Sequence, residues 1–220
     1  SLKDYLHVAQ WTYPNRIMRA AQWVINNDDY DVHFVQMNSF GCGPDSFLSD
    51  EIKEFFEQAK KSYTFIRVDE INSTGSMRLR LRSLIETIRL GGGRDGEMGS
   101  KIIKKTPPFK EEDKKRKILA PFFTKFASPL IPSIFECLGY EMETLPVSDK
   151  ESVNVGLTYS NNEICFPATL VIGDIIKALK SGKYDLDKTA VIMTQTGGQC
   201  RASNYIALIR KAILNSGIDN

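Results

Sequence analysis

The sequence predicts an α/β protein of two lobes, each an open, mostly parallel sheet covered by helices. Three observations lead there. Strand-like runs alternate with helix-like runs along most of the chain, the helix-like runs repeat their apolar residues at helical spacing, and one stretch rich in glycine, proline and lysine breaks the rhythm midway. The 220 residues suit one large domain or two small ones and can bury a core of useful size.

In the first lobe, residues 1–90, Tyr5 to Thr12 reads as a strand, and Pro14 opens a helix with Ile17, Ala21, Val24 and Ile25 on its apolar face. Val32 to Met37 is the second strand. The next helix begins near Pro44-Asp45 and carries Leu48, Ile52, Phe55, Phe56 and Ala59 as its core stripe. Tyr63 to Val68 is the third strand. Ser73 or Thr74 caps a helix with Met77, Leu81, Leu84, Ile85 and Ile88 on its buried face and Arg78, Arg82 and Arg89 on another.

Residues 91–114 have a linker composition, with Gly91-Gly92-Gly93, Gly96, Gly99 and Pro107-Pro108. Met98-Gly99-Ser100 also reads as an artificial junction in place of a removed loop. The second lobe, residues 115–220, resumes with a strand at Ile118 to Ala120, a helix from Ser128 to Leu138 and a strand around Tyr140 to Leu145. A helix from Ser148 to Tyr159 ends before Asn161-Asn162. The next, Ala168 to Leu179, is apolar on most of its circumference and is expected to be heavily buried. A strand from Thr189 to Thr194, a glycine-rich turn and a helix from Ala202 to Leu214 complete the lobe.

Composition narrows the function classes. With 42% hydrophobic and 25% charged residues the chain matches a folded globular protein, not a disordered or membrane-embedded one. Its 29 basic and 27 acidic residues leave +2, too nearly balanced for a sequence-independent nucleic-acid binder. No apolar run approaches a membrane span, and Ser1-Leu2-Lys3-Asp4 lacks a signal-peptide layout, so no membrane contact and a cytoplasmic location are expected. Four cysteines in such a compartment are not a disulfide scaffold.

Open parallel sheets bind ligands beyond the carboxyl ends of their strands, and three cysteines fall in loops that lead into helices. Cys42 lies in Asn38-Ser39-Phe40-Gly41-Cys42-Gly43-Pro44-Asp45, after a strand and before a helix. Cys200 holds the same position in Gln195-Thr196-Gly197-Gly198-Gln199-Cys200-Arg201-Ala202, and Cys165 immediately precedes Phe166-Pro167-Ala168. Unpaired N–H groups at a helix entrance favour an anion and bias a thiol toward the nucleophilic, metal-binding thiolate. Zinc would normally show a fourth ligand and Cys-x-x-Cys spacing, and a thioredoxin-like centre needs such a pair; neither is present. Three separated thiolates fit an iron–sulfur cluster with one iron left open, against the plain alternative of three buried cysteines. Cys137, beside Ile134 and Leu138 in a helix, reads as a small buried hydrophobe.

The motifs around Cys42, Cys165 and Cys200, with Leu179-Lys180-Ser181-Gly182-Lys183-Tyr184-Asp185 and Ile66-Arg67-Val68-Asp69-Glu70, resemble the 2-hydroxyacyl-CoA dehydratase superfamily. Within it the chain is most similar to the large activase-related proteins, in which an ATP-hydrolysing activator is fused to dehydratase-like domains. The resemblance covers nearly everything but the glycine-rich linker. It implies α/β domains holding a [4Fe-4S] or double-cubane cluster, a low-potential electron delivered by an activator ATPase, and acyl-CoA or other small-molecule substrates. The dehydratase branch removes water from a 2-hydroxyacyl-CoA through a ketyl radical, and related members carry out other ATP-driven reductions. By the same likeness Cys42, Cys165 and Cys200 are the ligands. No Walker A pattern or activator nucleotide motif occurs here, so ATP belongs to a separate activator domain and the chain reads as a fragment of a longer protein that can lack its cluster.

Other residues admit two readings. Thr196-Gly197-Gly198 before a helix can cradle a phosphate or form a plain turn. The run Arg78, Arg80 and Arg82 can receive CoA phosphates, Arg78 and Arg82 as the candidates, or face solvent. Asp69 and Glu70 end a strand and suit acid–base or helix-capping work, while His7 and His33, both in expected strands, read as structural. A non-catalytic, partner- or CoA-binding scaffold and a flavodoxin-like nucleotide binder are the rival functions.

Overall fold

The computed structural model describes residues 12–27, 31–38, 44–68, 74–90, 108–161, 164–194 and 205–218. It is an α/β structure whose strands pair in parallel throughout these residues. The chain divides into two compact units, one formed by Ser1–Ser100 with Gln199–Arg201 and the other by Lys101–Gly198 with Ala202–Asn220.

In the first unit the order is α1 (Thr12–Asn26), β1 (Val35–Asn38), α2 (Pro44–Gln58), β2 (Thr64–Arg67) and α3 (Thr74–Arg89). Strands β1 and β2 pair from Val35 opposite Thr64 to Asn38 opposite Arg67. Met18, Ala21 and Val24 recur at helical spacing on α1 and pack with Leu48, Ile52 and Phe56 of α2, which are almost completely buried. Phe34, Phe56 and Tyr63 close this core with ring centroids 5.2 to 6.3 Å apart. The end of α1 is held from outside the helix. The Lys61 ammonium donates to the carbonyls of Val24 and Ile25, both at 2.8 Å, satisfying last-turn acceptors and complementing the negative end of the dipole.

The second unit runs β3 (Lys117–Ala120), α4 (Ile131–Cys137), β4 (Met142–Thr144), α5 (Lys150–Tyr159), α6 (Phe166–Lys180), β5 (Thr189–Val191) and α7 (Tyr205–Asn215). Its sheet has the order β4-β3-β5, with β3 parallel to both neighbours. Leu119 and Ala120 on the central strand are fully enclosed. Helix α6 buries Ala168, Thr169, Ile172, Gly173, Asp174, Ile175, Ile176 and Leu179, as its nearly continuous apolar run predicts. Helices α5 and α6 meet through small residues: a β-carbon on Gly156 would lie 2.1 Å from the Thr169 carbonyl oxygen.

Several expectations need correction. Thr12 lies in α1 and not in a strand, so the helix starts before Pro14; the rest of the strand expected from Tyr5 lies outside the described residues. Strand β1 begins at Val35 because its partner β2 begins at Thr64; the Phe34 carbonyl still accepts the Thr64 N–H at 3.4 Å, and Val32 and His33 fall outside the strand. His33 instead meets Asp31 at 3.0 Å. On α3 only Leu84 of the expected apolar face is buried; Leu81 and Ile85 are exposed, because a sixteen-residue helix that packs chiefly on the four-residue strand β2 buries only part of that face. The helix expected from Ser128 starts at Ile131. The Ser128 hydroxyl accepts the N–H groups of Phe123 and Thr124 and fixes a turn ahead of it, and the short helix leaves Cys137 exposed, not buried.

Candidate functional site

Cys165 is the one candidate ligand within the described residues, and local structure accounts for its position. Pro167 in the first turn and an extended backbone at Cys165 start α6 there, which makes Cys165 the N-cap. Its sulfur accepts the Ala168 N–H at 3.4 Å and lies 3.3 Å from the Tyr205 hydroxyl. Only 4% of the residue is exposed, between Ile164 and Ala168. Tyr205 opens α7, so this contact joins the starts of two helices. Tyr205 also closely follows Cys200 in the sequence.

The Ala168 N–H donates to this sulfur and the Tyr205 hydroxyl can donate or accept there; a thiolate would take both as donors, the surroundings that suit a ligand of an iron–sulfur cluster, whose potential depends on such hydrogen bonds. The same contacts also serve a plain N-cap. Cys42, Cys200, Thr196, Gly197 and Gly198 lie outside the described residues, as do His7, Asp69 and Glu70. Among the described residues no group of three or more His, Cys, Asp or Glu side chains is placed to hold a metal ion. Arg78 and Arg82 are exposed on α3.

Three polar clusters escaped the sequence reading. Ser148 follows the carboxyl end of β4 and donates to the buried Asp174 carboxylate at 2.5 Å. The signal was there, since Asp174 is the one acid within the apolar run Ala168 to Leu179. Beside it, Lys177 donates to Asp149 at 2.8 Å and to the Ser152 hydroxyl at 3.0 Å. Asp149 in turn caps α5 through the Ser152 N–H, and these contacts, Lys177 first, hold its carboxyl well below the usual range. Ser152 is fully buried and engaged with Asp149, so the Ser–Lys contact is a helix clamp and not an accessible nucleophile.

The third cluster surrounds Glu143 on β4. Lys183 at 2.5 Å, Lys117 at 2.9 Å and the Tyr184 hydroxyl at 2.7 Å hold its pKa at about 2. Burial, and then its bond to Glu143, pushes the Tyr184 phenol up. Lys117 opens β3 and so stands at the amino edge of the sheet, away from the ligand-binding edge of such folds. The cluster ties β3, β4 and the segment after α6 together.

In the first unit a groove of about 480 Å³ is lined by Tyr13, Arg16, Ile17 and Ala20 of α1 and by Phe34 to Met37. Gln36 in its wall accepts the Tyr63 hydroxyl at 2.9 Å, but its enclosed Nε2 has no partner among the described residues. That nitrogen is too enclosed to touch a ligand in the groove.

No family model, no curated protein and no solved structure matches this chain. Among the described residues no helix is long and apolar enough to cross a membrane.

Proposed function

We propose that the chain is the iron–sulfur module of an ATP-dependent 2-hydroxyacyl-CoA dehydratase-like or reductase-like system, with Cys42, Cys165 and Cys200 as thiolate ligands. The observation that carries the reading is the setting of Cys165, whose sulfur is met by the Ala168 N–H and the Tyr205 hydroxyl at the start of α6. In this role Ala168 and Tyr205 orient the sulfur and donate to it, and its burial keeps water from it. When bound, the cluster supplies one-electron chemistry at low potential. The electron comes from an activator ATPase domain or subunit, the substrate is an acyl-CoA or another small molecule, and the setting is cytoplasmic.

Anaerobic purification followed by iron and sulfide analysis tests the proposal. Brown protein that loses its iron in Cys165→Ala and Cys200→Ala supports it. Colourless protein that takes up no iron and sulfide on anaerobic reconstitution overturns it. The second result favours a non-catalytic scaffold, the reading in which Cys165 is only a helix cap.

A further inference from the structure

We propose that the outward flank of α3 is a docking surface for another protein, which presents an acidic amphipathic helix to it. The inference goes beyond the iron–sulfur reading and does not depend on it. The apolar stripe of α3 is wider than the surface that covers it. Leu84 is buried and Met77 and Ile88 are half-buried, but Leu81 and Ile85, one turn apart, are 41% and 46% exposed. Arg78, Arg82 and Arg89 follow immediately on the adjoining flank of the helix.

The charge of this flank is one-sided. Helix α3 has four arginines and one acid, Glu86, and that acid already pairs with Arg89 at 2.7 Å. Arg80 is turned the other way and donates to the Phe65 carbonyl at 3.0 Å, which anchors the helix to β2. Arg78 and Arg82 have no ion-pair partner among the described residues. Every cation on α3 is arginine, the side chain that grips carboxylates by two parallel bonds and is enriched at protein interfaces. A partner that complements the flank needs aliphatic side chains over Leu81 and Ile85 and carboxylates beside them, which an acidic amphipathic helix provides. A bilayer surface fits less well. A helix lying in a membrane interface sinks a broad apolar face, whereas here a narrow strip borders the cations on one side only.

The test uses the full chain and a synthetic helical peptide with leucines one turn apart and a row of glutamates along one flank. A second peptide with lysines in place of the glutamates and vesicles of anionic phospholipid are the comparison probes. The glutamate peptide is expected to bind, to weaken with added salt and to bind Arg78→Glu/Arg82→Glu about tenfold or more weakly. The lysine peptide is expected not to bind. An unchanged melting curve shows that the double variant folds, since both arginines are exposed. The proposal is overturned if the glutamate peptide fails to bind the parent or binds both forms alike. It is equally overturned if vesicles capture the parent in its place, or if the parent is a dimer that the double substitution dissociates.

Discussion

Gly173 lies so close to Ser152 that a β-carbon built on it would stand 1.8 Å from the Ser152 carbonyl oxygen. That atom is backbone, fixed within α5, and so are the next nearest, the Ser152 carbonyl carbon and the Gly156 nitrogen. Alanine would favour the helix by about 1 kcal/mol, but the overlap forces α5 and α6 apart. Gly173→Ala should therefore destabilise the protein by about 3 kcal/mol, read from the midpoint of urea unfolding. A variant as stable as the parent would show that the two helices do not meet here.

Lys61 ties α1 to the segment before β2 through the Val24 and Ile25 carbonyls. Lys61→Met keeps most of the aliphatic stem and removes both charged donors. A loss of about 1 to 2 kcal/mol is expected in thermal or urea unfolding. No change would mean that water replaces the ammonium at no cost.

Ser148 is the hydroxyl that meets the buried carboxylate of Asp174. Ser148→Ala takes away the donor and leaves the acceptor in place, which costs about 1 to 3 kcal/mol. Asp174→Asn should be milder, because the hydroxyl and the amide can still bond. The reverse order of the two stabilities would count against the pair.

The Glu143 carboxyl titrates at about 2 in the folded protein, against 4.5 when free of its partners. A depressed acid contributes its full stabilisation above the unfolded value and loses it as pH falls toward the folded one. Part of the stability should thus disappear between about pH 4.5 and 2. Glu143→Gln should lower stability at neutral pH and flatten that part of the profile. Asp149 acts in the same direction lower on the acid limb, so the two curves need comparing rather than the parent read alone.

For Cys165, serine and alanine separate the cap from the ligand. Cys165→Ser keeps an oxygen acceptor at the start of α6 and should unfold near the parent, while Cys165→Ala loses about 1 kcal/mol. Under the iron–sulfur proposal Cys165→Ala loses iron on anaerobic reconstitution, whereas the serine oxygen can still bind it. Iron retained in Cys165→Ala would remove Cys165 from the ligand set.

The elements that proved legible were those whose pattern was local and complete. The apolar run of α6 announces its burial, and Leu48, Ile52 and Phe56 mark the inner face of α2 at helical spacing. Boundaries were harder because they depend on partners distant in sequence, as with β1, whose start is set by Thr64. Helix α3 shows a second limit. Its apolar face is visible in the sequence, but how much of that face another element covers is not. At the site, the position of Cys165 ahead of α6 was readable, whereas its neighbour Tyr205 was not, because nothing local pairs a thiol with a phenol forty residues away.

The strand order β4-β3-β5 also constrains how the second unit assembles. The middle strand is synthesised first, and its second edge stays open until Thr189 to Val191 arrive opposite Lys117 to Leu119. The α5–α6 hairpin, built from contacts close in sequence, can form in the meantime and shield the apolar faces of its own helices. Until β5 docks, the exposed edge of β3 leaves a nascent chain of this protein open to pairing with another.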